Sequence, residues 1–215
     1  AMKLIHTKSN ETLLKEVPSI PFHDLSIVFY LFLDKDEHGQ MTVLIRNDHL
    51  PIWNTDTSEL YKLAIDNTPR LYPPCIRSMA SLINDMLFVN GTLIQPSFAA
   101  ASPNALDLAD SPIPLSILTN TSGIFGASAM LYPGVLKEFS KKIGHDLIIL
   151  PSSVHEVLLL PYDSTYSFQE MADMVKDVNE KCVPVEEQLS NQVYYYSSAQ
   201  DSIFLGGDPA SRILS

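Results

Sequence analysis

The chain has 215 residues, 46% of them hydrophobic, and a formal net charge of −11 with a pI near 4.8. That field repels a phosphate backbone, and Lys141-Lys142 is the longest basic cluster, so nucleic acid and anionic membranes are excluded as expected partners. Cys75 and Cys182 stand in neither a CxxC nor a Cys/His arrangement, so no disulfide framework, zinc site or other cofactor is expected.

The longest strongly apolar run, Ser26 to Leu33, is too short to span a bilayer, and the N-terminus lacks a basic segment followed by an apolar one. A soluble, cytoplasmic protein with free thiols is therefore expected. Ala1 ahead of Met2 reads as a tag remnant, compatible with a longer natural protein. Length and hydrophobicity together suit one domain with a sizeable core.

Residues 1–24 read as an N-terminal helix and linker ending in Pro18-Ser19-Ile20-Pro21, ahead of a single α+β domain over 25–205. "LSIVFYLFLD" (25–34) and "MTVLIRN" (41–47) form a β-hairpin around the acidic turn Asp34 to Gly39. Asp56 and Glu59 mark a helix start, with Leu60, Leu63 and Ala64 at helical spacing over about 57–68, until Pro69 ends it. Ile76, Met79, Ala80, Ile83 and Leu87 predict a second helix over about 74–87, with Pro74 in its first turn. Residues 88–111 show no sustained period and read as a long loop.

"PLSILTN" (114–120) reads as a strand, Thr121 to Gly126 as a turn, and Pro133 as a break before a helix with the stripe Leu136, Phe139 and Ile143, capped by Gly144. "HDLIILP" and "VHEVLLLP" predict two strands joined by Pro151, Ser152 and Ser153. Ser167 with Glu170 starts another helix, with Phe168, Met171, Val175 and Val178 facing inward. "NQVYYYSS" and "SIFLG" close a last hairpin across Ala199 to Asp201, and 206–215 is a loose tail. The fold class is therefore α+β, a mostly antiparallel sheet built from hairpins with helices packed on it.

Candidate chemistry is sparse. Ser152, Ser153, His155 and Glu156 interrupt two aliphatic runs and supply the residue types of a nucleophile, a base and a carboxylate. With Val154 to Leu160 extended, His155 and Glu156 point to opposite faces, so turn serines beside a half-buried histidine are the favoured reading. In "TNTSGIFGA" (119–127), Asn120, Gly123 and Gly126 precede a helix and offer backbone N–H groups to an anion, although the spacing matches neither a Rossmann nor a P-loop pattern and a bare turn is favoured. Tyr194 and Tyr196, on one face of a strand, combine area with a hydrogen-bonding group in a possible recognition surface; core packing is favoured there too. The histidines and carboxylates show no metal-ligand spacing, so no metal is expected.

The stretches "GASAMLYPGVLKEFSKKIGHDLIILPSSVHEVLLLP" and "MVKDVNEKCVPVEEQLSNQVYYY", with "LYKLAIDNTPRLYPP" upstream, resemble a family of uncharacterised proteins common in gut clostridia (Firmicutes) and carried as a domain of unknown function. The likeness covers roughly residues 12 to 200 and is strongest from Gly123 to Tyr196. The order of elements is also similar to another widespread uncharacterised bacterial family that pairs a hairpin-helix half with a helix-hairpin-helix half. The resemblance implies an α+β domain of a bacterial cytoplasm and carries no activity and no catalytic residue; members usually have a further N-terminal segment.

The expectation for function is thus a non-enzymatic module that binds or regulates through another protein or a peptide, resting on the 88–111 loop and the tyrosines. The competing expectation is a small hydrolase or transferase with His155 as base, Ser152 or Ser153 as nucleophile, and Glu156 or Asp163 in support.

Overall fold

The protein is described by a computed structural model over residues 1–36, 39–79 and 115–207, with the backbone alone for 35, 36, 39 and 152. In the first, four-stranded sheet, β3 (Leu25–Asp36) is the centre. It pairs antiparallel with β1 (Met2–His6), β2 (Ser19–Phe22) and β4 (Gly39–Leu44), in registers that set Met2 opposite Phe29, Ser19 opposite Val28 and Tyr30 opposite Leu44. The hairpin read from 25–47 is thus present, with a bulge between Phe32 and Asp34.

The N-terminal reading needs correction. Residues 1–24 supply two strands, and their helical content is a 3-10 turn (Lys8–Asn10) and α1 (Glu11–Leu14). Four residues are too few for a helix to hold itself in water, whereas Met2 and Leu4 reach Phe29 and Ile27 across the ladder and are fully buried.

After α2 (His49–Trp53) comes α3 (Thr57–Leu71), whose Asp56 cap accepts from the Glu59 N–H at 2.9 Å. The helix continues through Pro69 for its last turn and buries Leu60, Ala64 and Thr68. Thr68 Oγ1 donates to the Ala64 carbonyl (2.6 Å) and accepts from the Met2 N–H (3.0 Å), which fastens α3 to β1.

The helix expected over 74–87 is also corrected where it is described. Residues Pro74–Ser78 form β5, antiparallel to β6 (Ser116–Asn120). Pro74 is tolerated as the first residue of a sheet-edge strand, and Ile76 gains a cross-strand partner in Leu118. The remainder of that expected helix and the 88–111 loop lie outside the described residues.

Among the described residues the second sheet has six strands in the order β10-β9-β7-β8-β6-β5, with β7 (Leu147–Ser153), β8 (Glu156–Pro161), β9 (Tyr194–Ser197) and β10 (Ser202–Leu205), every pairing antiparallel. A 3-10 helix (Gly126–Leu131) and α4 (Val135–Ile143), stopped by Gly144 at φ +77°, precede β7; α5 (Phe168–Cys182) follows β8. Helices beside antiparallel sheets make this an α+β fold.

Residues of alternating parity along β7 and β8 serve two cores, which explains their unbroken aliphatic runs. Leu147, Ile149, Val157 and Leu159 join Met2, Leu4 and Phe29 of the first sheet, with Ala127, Ala129 and Met130 in the same core. Ile148, Leu150, Leu158 and Leu160 pack with Val175 of α5 on the other face.

A polar clamp also joins the sheets. In the turn between β2 and β3, Asp24 accepts from the Tyr194 hydroxyl and from Ser190 Oγ, each at 2.5 Å, while His23 Nε2 lies 3.0 Å from the Ile203 carbonyl oxygen. Burial first, and the Asp24 charge second, push the Tyr194 hydroxyl far above its usual range. Asp24→Ala leaves that hydroxyl buried without its acceptor, and a stability loss of about 2 kcal/mol is expected in urea melts. Combined with Tyr194→Phe, the loss should fall well short of the sum of the single losses; full additivity would refute the clamp.

Candidate functional site

The polar interruption read from the sequence lies at the tip of the β7–β8 hairpin, but its turn is displaced. Ser153 pairs with Glu156, so Val154 and His155 form a two-residue turn, and a bulge between Leu150 and Ser153 takes up Pro151 and Ser152. Proline has no N–H for the ladder, so a bulge is where it fits. His155 therefore sits in the turn and not within a strand, as the extended reading of 154–160 had it.

Backbone and side chain both anchor this tip. The Val154 N–H donates to the Glu187 carbonyl (2.9 Å), the Ala127 N–H to the Val154 carbonyl (3.3 Å), and Thr119 Oγ1 to the His155 carbonyl (2.8 Å). Nδ1 of His155 accepts from the Phe125 N–H at 3.2 Å, which leaves the ring proton on Nε2, 3.7 Å from Glu187 Oε1. The imidazole is stacked with the Phe125 ring (centroids 6.0 Å apart, 11° between planes). Lys3 Nζ stands 4.1 Å from the centroid of that ring, and burial pushes its ammonium below the usual lysine range. Phe125 itself is held at φ +53°, a strained conformation for a residue with a side chain.

These bonds do not assemble a nucleophile and base. Ser153 Oγ accepts from the backbone N–H of His155 (3.1 Å), and the imidazole nitrogen that takes a proton is already engaged with Phe125. Ser152 lies in the bulge. Glu156 is half-buried, and desolvation pushes its carboxyl up to about 7. Asp163 lies beyond the opposite end of β8, on the order of 20 Å from the tip. Its carboxylate accepts from the N–H and Oγ1 of Thr165, both at 2.8 Å, and those bonds hold it below the usual range.

The loop leading into the 3-10 helix is closed on itself. Asn120, buried, accepts at Oδ1 from the N–H groups of Ser122 and Gly123 (3.0 Å each) and donates from Nδ2 to the Ile124 carbonyl (3.0 Å). The Ile124 N–H goes to Ser122 Oγ and that of Phe125 to His155, so the donors of residues 122–125 are all occupied internally. Asn120, Gly123 and Gly126 thus shape a plug beside the hairpin tip and offer an anion little. Gly123 supplies φ +71° at that turn.

Tyr194 and Tyr196 are 0% and 2% exposed, which puts their rings in the core and leaves no recognition surface there. The Tyr194 hydroxyl donates to Asp24, that of Tyr196 to Asp201, and that of Tyr195, the residue between them in sequence, to Asp146. Phe125, Glu187 and Lys3 were not singled out by the sequence, since each reaches the tip from a distant part of the chain. Among the described residues no group of three or more His, Cys, Asp or Glu can hold a metal ion, and no helix is long and apolar enough to cross a membrane.

Exposure gathers on another hairpin. Leu31 and Val43 face each other across β3 and β4 and are 38% and 41% exposed; Leu33 at the bulge and Met41 follow at 52% and 62%. The sequence had signalled a strand pair here without telling its covered face from its open one.

An α+β protein of two antiparallel sheets, with an exposed apolar hairpin and a bonded polar tip, is the class that fold and site define. The chain belongs to a family of unknown function (DUF5688), whose model matches residues 1–198, a span that takes in β1 and β2. No curated protein and no solved structure matches it.

Proposed function

We propose that the protein is a non-enzymatic binding or regulatory module of a bacterial cytoplasm, and that it docks another protein through the β3–β4 hairpin. The observation that carries this reading is the run of Leu31, Leu33, Met41 and Val43, each more than a third exposed on a single hairpin. Water-exposed aliphatic groups cost about 25 cal/mol for each Å² that a partner would cover, and contiguous ones mark interaction surfaces. Further support comes from the hairpin tip, where Ser153 and His155 are bonded to backbone and not to each other. The half-buried, unpaired thiols of Cys75 and Cys182 suit a reducing compartment.

The test is capture of partners from extract of the native cell by wild type and by a Leu33→Glu/Met41→Glu variant, read by mass spectrometry, with circular dichroism to verify equal folding. The expected result is a protein retained by wild type and lost by the variant. Equal capture by both, or capture by neither, would overturn docking through this hairpin.

A further inference from the structure

A second concavity lies apart from the hairpin tip and the exposed β3–β4 face. Between the first two turns of α5 and the strand-end residues Val193 and Gly206, a cleft of about 710 Å³ is lined by the rings of Tyr162, Tyr166 and Phe168 and by Gln169 and Gln192. That size falls within the usual span of small-ligand sites, about 300–1,000 Å³.

The walls are fixed before any ligand arrives. Tyr162 stacks with Phe168 (centroids 6.2 Å apart, 16° between planes) and meets Tyr195 edge-on at 5.0 Å. Gly206 donates its N–H to the Val193 carbonyl at 2.7 Å. A Cβ on Gly206 would lie 2.6 Å from Phe168 Cδ1 and 2.9 Å from the Val193 oxygen, so the ring stands against bare backbone there.

The lining is uncharged, in a chain whose net charge is −11. The Tyr162 and Tyr166 hydroxyls and the Gln192 side-chain amide have no hydrogen-bond partner among the described residues, and Gln169, which donates from Nε2 to Asp173 (3.0 Å), keeps its side-chain carbonyl oxygen free of one. Aromatic side chains together with neutral donors and acceptors in one lining complement a ring with a C–H face and hydroxyls around its edge. A carboxylate, phosphate or ammonium ligand would lose its hydration without meeting an opposite charge.

We propose that this cleft binds an uncharged saccharide, with a sugar ring on the aromatic wall and its hydroxyls on Gln192, Tyr166 and Gln169. An extended peptide is the less favoured occupant. It would look for a free strand edge, and on neighbouring β10 the Ile203 carbonyl faces His23 Nε2 at 3.0 Å.

The full chain is tested by saturation-transfer NMR against maltose, cellobiose, lactose and N,N′-diacetylchitobiose, beside Tyr166→Ala and Gln192→Ala variants. The expected result is transfer to ring C–H protons of at least one disaccharide, with affinity weakened about fivefold or more by each variant. Gln192 is an exposed side chain, so its variant keeps the test decisive if Tyr166→Ala fails to fold. Transfer to none of the four, or affinity unchanged in the folded variants, overturns the proposal. A proline-rich decapeptide that binds where the sugars do not, and is lost in the variants, would replace the saccharide with a peptide.

Discussion

Gly126→Ala is expected to lower the unfolding free energy by about 3 kcal/mol, at the upper end for a single added methyl group. A Cβ there would run into Thr119 Oγ1 and the His155 carbonyl oxygen, and would come within 2.8 Å of the Asn120 nitrogen. The threonine can rotate only by giving up its bond to His155, and the other two atoms are backbone. The 3-10 helix must therefore move off the hairpin, which breaks the bonds from Ala127 to Val154 and from Phe125 to His155. In urea the midpoint should drop by roughly 1–1.5 M with an unchanged slope. Gly123→Ala is the control: nothing lies within 4 Å of its Cβ, and only φ +71° is lost to strain, so about 1 kcal/mol is expected. A Gly126→Ala protein no less stable than the Gly123→Ala one would show that the helix is not locked to the hairpin tip.

Glu156→Gln is expected to stabilise the protein at pH 8 by about 2–3 kcal/mol and to leave it nearly unchanged at pH 4. Burial raises the carboxyl of the folded protein to about 7, against the ordinary 4.5 of a glutamate in the unfolded chain. Between those two values the folded state holds the proton that the unfolded state has released, so stability is greatest below 4.5 and declines as pH rises toward 7. Glutamine removes the titration, and the gap between variant and wild type should open across that window. The exposed part of the side chain is screened by water, which is why the gain is set below the full shift. A difference in stability that is the same at pH 4 and pH 8 would contradict the assignment of this titration to Glu156.

What the sequence discloses follows the range of the interactions involved. The helices α3 and α5 were readable because Asp56 and Ser167 cap them through bonds to Glu59 and Glu170, three residues on. The hairpins β3–β4 and β9–β10 were readable from alternation and nearby turns. By contrast, β1 is a strand because Phe29 and Ile27 lie opposite Met2 and Leu4, and nothing local in residues 1–24 announces those partners. The stretch from Pro74 fits a helical stripe and a strand equally well; pairing with β6 decides it. At the tip, the polar residues were visible as an interruption of aliphatic runs, but a bulge moved the turn and changed what His155 meets. Its actual partner, Phe125, is thirty positions upstream, and the apolar face of β3–β4 differs from a buried face only in what fails to cover it.

The Asp24 clamp also orders events during synthesis. β1 to β4 lie in the first 44 residues and, among the described residues, pair only with one another, so their ladder can close early on the ribosome. Ser190 and Tyr194, the partners of Asp24, are 166 and 170 residues further along. At about 5–20 residues per second, roughly 10–30 s separate the emergence of the aspartate from that of its tyrosine. For most of that interval, until Leu147, Ile149, Val157 and Leu159 have emerged, the inner face of the first sheet, Met2, Leu4 and Phe29, lacks the second-sheet residues that cover it. The nascent chain thus offers a chaperone the same kind of aliphatic surface at birth that the finished protein keeps on its β3–β4 hairpin.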